Sequence, residues 1–199
     1  MKIPLIVGLL GVLVAAPLAN ASIVDWNCAD DGDGAIVMQT GTLSTVGSDY
    51  RLDITAAQYW SPAHMAGDFI TDTEQDPTVW IVETVDNYTT FTWTDYHIAV
   101  GMTKPFSIVG VVAPPDWTWA VTGPAGGQQL PGKPPGTLGW VGTVDYYAGT
   151  PIPPGQSGTF GLVVSFLGSV EFCTEQIPTP EPASLLLLGL GGLLIRRRR

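Results

Sequence analysis

The chain has 199 residues, of which 18 are acidic and 8 basic, so its formal net charge is −10. Five of the basic residues lie in the two terminal segments, and the body between these segments is therefore strongly acidic. Such a body repels phosphate backbones, which excludes nucleic-acid binding and makes divalent cations its natural counterions. Roughly 155 residues separate the terminal segments, enough for one domain with a hydrophobic core.

The first 21 residues have the pattern of a secretory signal peptide. Lys2 precedes an apolar stretch, and Ala19 and Ala21 supply the small residues of an A-x-A cleavage site. We expect signal peptidase to cut there, which makes Ser22 the first residue of the mature protein. An uncleaved N-terminal membrane anchor is the alternative.

Two cysteines, Cys28 and Cys173, lie near opposite ends of the body. In an exported chain an isolated pair predicts a disulfide. A link between residues so far apart would remove much loop entropy from the unfolded chain, about 5 kcal/mol in the chain-entropy model. Two separate free thiols are the alternative, because a sequence does not show whether two sulfur atoms meet.

The segment CADDGDG carries three closely spaced carboxylates, Asp30, Asp31 and Asp33. Carboxylates on a turn are the ligands that Ca²⁺ prefers, but the EF-hand pattern fails here. Aligning Gly34 with the glycine of that loop places Ala29 at the first ligand position and Thr40 at the position of the bidentate Glu. A solvated acidic turn without an ion is the alternative.

A second acidic cluster lies in GDFITDTEQDP, which we predict to be a loop before a strand near Val79. It contains Asp68, Asp72, Glu74 and Asp76. Carboxylates this dense repel one another unless they are solvated or bridged by a cation. We therefore expect a structural Ca²⁺ site at this cluster or shared with the first one, and no other cofactor.

The rest of the body consists of short runs rich in Val, Ile, Thr and aromatic residues, interrupted by Gly, Pro, Asn and Asp. About ten such runs predict an antiparallel β-sandwich, immunoglobulin-like or jelly-roll-like, over residues 22–177. Residues 124–136 are too polar and too interrupted for a strand, and we predict a long exposed loop there.

The two histidines do not suggest a metal centre. His97 follows Asp95 by two residues on a predicted strand, so the two side chains share a face. A zinc site needs at least three protein ligands, and no third ligand is visible near either His97 or His64. We predict a cross-strand hydrogen bond between a histidine and an aspartate instead.

No catalytic motif is present: the sequence contains no G-x-S-x-G, no H-E-x-x-H and no phosphate-binding loop. Glycoside hydrolysis needs a pair of carboxylates, whereas Glu83 and Glu171 are isolated on predicted strands. We therefore predict a protein without enzymatic activity, and a small secreted hydrolase is a distant alternative.

All seven tryptophans lie in the body, and two of them, Trp117 and Trp119, alternate in PDWTWA. On a strand this spacing places both side chains on the same face. An exposed pair would be typical of a carbohydrate-binding module, in which sugar rings stack on aromatic faces. The alternative is that the tryptophans fill the core of the sandwich.

The chain ends with 13 apolar or small residues at 183–195, followed by four arginines. As a helix this run would span about 20 Å, less than the roughly 30 Å hydrocarbon core of a bilayer. The arginines should stay in the cytoplasm by the positive-inside rule. The segment is therefore predicted to be a short hydrophobic helix that holds the exported body outside; a permanent membrane anchor is the alternative.

Three features occur here in order: the residues Pro180, Glu181 and Pro182, the apolar run, and the terminal cluster Arg196, Arg197, Arg198 and Arg199. Together they resemble the PEP-CTERM sorting signal, over residues 178–199 only. The resemblance implies recognition and processing by exosortase, a membrane transpeptidase, with the protein transiently anchored in the inner membrane and then moved to the cell surface or the extracellular matrix. It also leads us to expect a structural or adhesive role linked to exopolysaccharide.

Overall fold

A computed structural model describes residues 21–180 of the chain. Ala21 is buried, whereas Ala19 and the rest of the predicted signal peptide lie outside the described residues. The predicted C-terminal helix also lies outside them, together with Glu181, Pro182, Arg196, Arg197, Arg198 and Arg199. Within residues 21–180, no helix is long and apolar enough to span a membrane.

The described residues form eleven strands in two sheets, which confirms the predicted all-β class. The six-stranded sheet has the order β1-β4-β11-β6-β9-β8, with β1 (Ile23–Asp30), β4 (Ala63–Thr71), β6 (Trp93–Met102), β8 (Thr118–Gln129), β9 (Leu138–Tyr147) and β11 (Val170–Pro180). The five-stranded sheet has the order β2-β3-β5-β10-β7, with β2 (Ile36–Val46), β3 (Asp49–Gln58), β5 (Thr78–Asn87), β7 (Phe106–Val112) and β10 (Ser157–Phe166).

The core lies between the two sheets and consists of the inward side chains of alternating strand residues. On β5, for example, Val79, Ile81 and Val85 are buried, whereas Trp80 lies on the opposite face and is half-buried. Large aromatic rings fill the space between the sheets; Tyr96 and Phe160 stack with their ring centroids 4.1 Å apart. Burial of one such side chain contributes about 2 kcal/mol.

The predicted arrangement is wrong at one pair of strands, because β3 and β5 are parallel. The chain leaves the five-stranded sheet after β3, forms β4 in the other sheet, and returns as β5 beside β3. Since β4 makes the return run in the opposite sheet, no hairpin is needed between β3 and β5. Both strands therefore end at the same edge of the sandwich, where Gln58 lies opposite Asn87.

The loop predicted over residues 124–136 is shorter than expected, because β8 continues to Gln129. β8 is an edge strand whose side chains are almost all exposed, and its pairing with β9 is irregular around Thr122 to Ala125 and again around Gly126 to Gln128. Hydrogen bonds from β9 extend this Gly- and Pro-containing segment as a strand, against its local propensity.

The predicted disulfide is wrong: Cys28 and Cys173 are both free thiols. Cys28 lies opposite Gly67, and Cys173 lies opposite Ala66, on the two sides of β4. Two strand spacings of about 4.8 Å separate them, more than a disulfide can bridge. Because Gly67 and Ala66 are consecutive, the two thiols also point to opposite faces of the sheet. Burial raises the pKa of Cys28 to about 12 and that of Cys173 to about 11.

Candidate functional site

Three exposed aromatic side chains, Tyr59, Trp60 and Tyr88, form a patch at the edge where β3 and β5 end. Their exposed fractions are 43%, 53% and 53%. Tyr59 and Tyr88 follow the last residues of the two parallel strands, so they emerge side by side and their rings stack at 5.4 Å with an interplanar angle of 16°. The ring of Trp60 lies 6.5 Å from that of Tyr59 and is tilted by 58°. We call these three residues the aromatic patch.

The backbone beneath the aromatic patch is held by Gln58, which is completely buried. Its side-chain Nε2 donates a hydrogen bond to the carbonyl of Trp60 at 3.1 Å, and its own carbonyl accepts one from the amide of Tyr88 at 2.9 Å. The carbonyl of Ala35 accepts from the amides of Tyr59, at 2.8 Å, and Trp60, at 3.3 Å. All three residues of the patch are thus tied to buried or partly buried backbone groups.

Asn87 holds the second loop of the patch in the same way, and it is also completely buried. Its Nδ2 donates to the carbonyls of Phe91, at 3.0 Å, and Ile152, at 2.9 Å. Its Oδ1 accepts from the backbone amide of Thr89 at 2.9 Å. Trp93 donates its indole N–H to the hydroxyl of Thr89 at 3.0 Å, which connects this loop to the core.

The turn between β1 and β2, residues 31–35, lies directly against the aromatic patch. A Cβ atom at Gly34 would be 3.5 Å from the indole of Trp60. On the other side of this turn, Asp31 Oδ2 lies 3.3 Å from His64 Nδ1. His64 Nε2 lies 3.1 Å from Glu175 Oε2 on the neighbouring strand. The imidazole is therefore placed between two carboxylates.

The structure brings part of the first predicted calcium cluster together. Possible ligand atoms of Asp31, Asp33 and His64 lie within 4.8 Å of one another. Both carboxylate oxygens of Asp30 are used locally, since they accept hydrogen bonds from the amides of Gly32, at 3.0 Å, and Met38, at 2.9 Å. The remaining set has two carboxylates, fewer protein oxygen ligands than the six to eight that Ca²⁺ takes in total.

The second predicted calcium cluster is not joined to the first. The sequence predicts a loop at Asp68, but Asp68 lies on β4. It accepts a hydrogen bond from Asn27 Nδ2 at 2.7 Å. Asp72, at the far end of β4 from His64, accepts one from the backbone amide of Ser22 at 2.8 Å. Asp76 is exposed in the following loop. The candidate ligand set within residues 21–180 includes none of these three.

The predicted tryptophan pair does not form a platform. Trp117 precedes β8 and is only 6% exposed; its Nε1 donates to the carbonyl of Thr150 at 3.0 Å, and its ring packs edge-on against Phe160. Trp119 lies on β8 and is 49% exposed. Because the strand begins at Thr118, after Trp117, the alternation rule does not relate the two side chains.

The second histidine makes the predicted type of contact with a different aspartate. His97 Nδ1 lies 2.7 Å from Asp145 Oδ1, and the two residues are directly opposite in the pairing of β6 with β9. Asp95 instead accepts a hydrogen bond from the hydroxyl of Thr179 at 3.4 Å. His97 is thus part of the sheet surface and belongs to no metal-ligating group of the described residues.

Glu83 is a buried carboxyl on the inner face of β5, and its burial raises its pKa to about 8. Gln176 donates its Nε2 to Glu83 Oε2 at 2.7 Å, and Glu83 Oε1 has no hydrogen-bond partner. The hydroxyl of Tyr96 lies 2.8 Å from the Oε1 atoms of both Gln176 and Gln58. A chain of buried polar groups therefore runs from Glu83 to Gln58, beneath the aromatic patch.

A cleft of about 800 Å³ lies at the same end of the sandwich, lined by residues of 113–117 and 150–159. One carboxylate, Asp116, is in its lining. It accepts hydrogen bonds from the hydroxyl and the backbone amide of Thr150, which lower its pKa. The pair of carboxylates that glycoside hydrolysis requires is not in the lining of this cleft.

A family model of the PEP-CTERM protein-sorting motif matches residues 178–199, which confirms the resemblance of the tail. No curated protein and no solved structure matches the chain. The matched segment begins inside β11, where Pro178 lies opposite Tyr96 and Thr179 opposite Asp95 on β6. The sorting motif therefore starts in a central strand of the six-stranded sheet, without a linker.

Proposed function

We propose that this protein is exported, with its leader removed by signal peptidase, and then processed at residues 178–199 by an exosortase-type transpeptidase. The match of the tail to the sorting motif is the observation that carries this proposal. After a transient stay in the inner membrane, the β-domain would remain at the cell surface or in the extracellular matrix.

The position of the motif in the fold supports processing of a folded domain. β11 ends at Pro180, three residues beyond the predicted domain end at 177, and Pro180 lies opposite Trp93 on β6. Cleavage after the PEP residues would leave every described strand intact. The processing enzyme would act close to the end of the sandwich that carries the aromatic patch, because Gln176 on β11 accepts a hydrogen bond from Gln58.

For the domain itself we propose a structural or adhesive role linked to exopolysaccharide, without catalysis. The single carboxylate in the cleft of about 800 Å³ already accepts hydrogen bonds from Thr150, which supports this proposal over that of a small secreted hydrolase. Carbohydrate binding is the second candidate function, and the exposed aromatic patch favours it. Trp117 and Trp119 no longer do, because Trp117 is buried.

For the fold we propose the jelly-roll variant of the sandwich over the immunoglobulin-like one. In a jelly roll, a long antiparallel ribbon wraps around a core, so strands at equal distances from the middle of the ribbon become neighbours. The pairs β4 with β11, β5 with β10, and β6 with β9 follow this rule. β7 and β8 complete the series as contacting strands, although β8 forms its hydrogen bonds with β9.

A structural cation remains a proposal, now restricted to Asp31 and Asp33. Possible ligand atoms of these two exposed side chains lie within 4.8 Å of each other and of His64. The other predicted ligands, Asp30, Asp68, Asp72 and Asp76, are used elsewhere or lie apart from this turn.

Intact-mass measurement and membrane fractionation of the protein in its native host test the sorting proposal. We expect the wild type to lack its leader and the residues beyond the PEP segment, and to be found outside the membrane. Replacement of Pro180, Glu181 and Pro182 by Ala should preserve the tail and membrane retention. The control carries Pro153→Ala and Pro154→Ala, two exposed prolines of another loop, and should be processed normally. A wild type that retains Arg199 in the inner membrane would show that the tail is a permanent anchor.

A further inference from the structure

We propose that the aromatic patch, Tyr59, Trp60 and Tyr88, binds an uncharged polysaccharide whose pyranose rings stack on the exposed aromatic faces. The inference deepens the second candidate function above and names its site and ligand class. The polysaccharide that the patch would meet in the host depends on the proposed surface location of the protein. Binding of a purified polysaccharide requires neither export nor processing.

The concentration of exposed aromatic rings at this edge is the first argument. Five large aromatic side chains of residues 21–180 are exposed, and three of them form the patch. The other two are Trp119 and Tyr147. Neighbouring exposed rings form a contiguous apolar surface, and the largest such surface of a domain is often a binding site.

The rigidity of the patch is the second argument. The completely buried side chains of Gln58 and Asn87 hydrogen-bond to the backbone of the two loops that carry the rings. Tyr59 and Tyr88 also fix each other by stacking. Rings that are already ordered lose little conformational entropy when a ligand stacks on them, so a larger part of the contact energy becomes affinity.

The size of the patch distinguishes a glycan from a protein partner. A fully buried aromatic side chain contributes 150–250 Å², so three half-exposed rings offer about 300 Å². A stable protein interface buries about 800 Å² on each partner. The patch is therefore too small for a protein interface by itself, whereas a few sugar rings would cover it. The exposed surface extends over three rings, which favours a chain of sugars over a monosaccharide.

The negative charge of the domain favours an uncharged glycan over an anionic one. The exposed carboxylates of Asp31 and Asp33 lie on the turn that contacts Trp60. In residues 21–180 only Arg51, Lys104 and Lys133 are basic, against 17 acidic residues. An anionic polymer would be repelled by this field. Sugar hydroxyls, by contrast, can donate hydrogen bonds to the carboxylate oxygens of this turn.

Binding can be tested with the full chain purified in detergent micelles, using tryptophan fluorescence and isothermal titration calorimetry. The probes are soluble cellulose-type β-glucan, xylan, mannan and dextran, with the anionic polymer alginate for comparison. We expect at least one neutral polymer to bind, and alginate to bind at least tenfold more weakly. Absence of binding to all four neutral polymers, or a preference for alginate, would overturn the proposal.

Matched variants locate the site. Trp60→Ala and Tyr88→Ala should each weaken binding about tenfold or more, because each removes one of the rings on which the sugars stack. Tyr88→Phe retains the ring and should bind within about twofold of the wild type. The control Trp119→Ala removes a tryptophan of similar exposure, 49%, outside the patch, and should bind as the wild type does. Loss of binding in Trp119→Ala with normal binding in Trp60→Ala would place the site elsewhere.

The experiments can contradict the glycan-binding proposal and the sorting proposal independently of each other. If the full chain does not bind glycans but is processed normally in its host, only the patch assignment is wrong. If the full chain binds through the patch but keeps its tail in the inner membrane, only the sorting proposal is wrong.

Discussion

Gln58 and Asn87 lie opposite each other at the ends of two parallel strands, and both side chains are completely buried. Buried amides are costly unless their donors and acceptors are paired. Here the partners include the carbonyls of Trp60 and Phe91, in the loops that follow the two strands. Two polar residues in the interior therefore position three aromatic residues on the surface.

Replacing Asn87 should show the cost of losing this support. Asn87→Ala removes the amide donor from the carbonyls of Phe91 and Ile152, and we expect it to lower the free energy of unfolding by about 2 kcal/mol. Urea denaturation followed by tryptophan fluorescence measures this change. Asn27→Ala, an exposed position, is the control and should change stability by about 0.5 kcal/mol or less. Equal effects of the two substitutions would contradict the structural role of Asn87.

Glu83 should make stability depend on pH between about 4.5 and 8. The folded-state pKa of about 8 exceeds the ordinary glutamate pKa of 4.5, so the folded protein holds a proton that the unfolded chain releases in this window. The free energy of unfolding therefore falls as pH rises, by at most about 1.4 kcal/mol per pH unit. Glu83→Gln keeps the shape without the proton equilibrium. Relative to the wild type, this variant should gain on the order of 3 kcal/mol between pH 5 and pH 8.

Urea denaturation of both proteins at four pH values measures the slope contributed by Glu83. Glu171→Gln, at an exposed strand position, is the matched control and should follow the wild type across the range. A wild type and a Glu83→Gln variant with parallel pH profiles would show that Glu83 titrates normally in the folded protein.

The cysteines should be reduced in the exported protein. Under denaturing, non-reducing conditions we expect two titratable thiols per chain, one from Cys28 and one from Cys173. In the native protein both should react slowly with thiol reagents, because burial raises the pKa of each thiol and leaves little thiolate at neutral pH. Dithiothreitol should leave the melting temperature unchanged. A chain without titratable thiols would contradict the strand order β1-β4-β11.

Calcium should act through the turn that carries Asp31 and Asp33. At a concentration tenfold above its Kd, a bound ion stabilises the folded state by about 1.4 kcal/mol, so Ca²⁺ should raise the melting temperature and EDTA should lower it. The double variant Asp31→Asn and Asp33→Asn should lose this response. The control with Asp68→Asn and Asp76→Asn, two positions outside this turn, should retain it. A wild type that responds to neither Ca²⁺ nor EDTA would show that the carboxylates are simply solvated.

Local patterns predicted the parts of this protein that depend on neighbouring residues along the chain. Alternating β-branched and aromatic residues between turn formers predicted an all-β domain, and the linear order of PEP, apolar run and arginines predicted the sorting tail. The aromatic patch also has a local signal, since Tyr59 and Trp60 follow one strand directly and Tyr88 follows another. A sequence does not show, however, that these two strands are neighbours.

Strand register and sheet order decided which distant residues come together, because each depends on contacts between residues far apart in the chain. The predicted disulfide between Cys28 and Cys173 is wrong because β4 lies between their strands. The pairing of Trp117 with Trp119 failed because a strand boundary falls between them. The parallel pairing of β3 with β5 brought Tyr59 beside Tyr88. By itself the sequence determined the class of fold and the tail that directs the protein outside, both of which are local properties. Only the tertiary structure decided which aromatic rings face solvent together, because that depends on how distant strands are aligned.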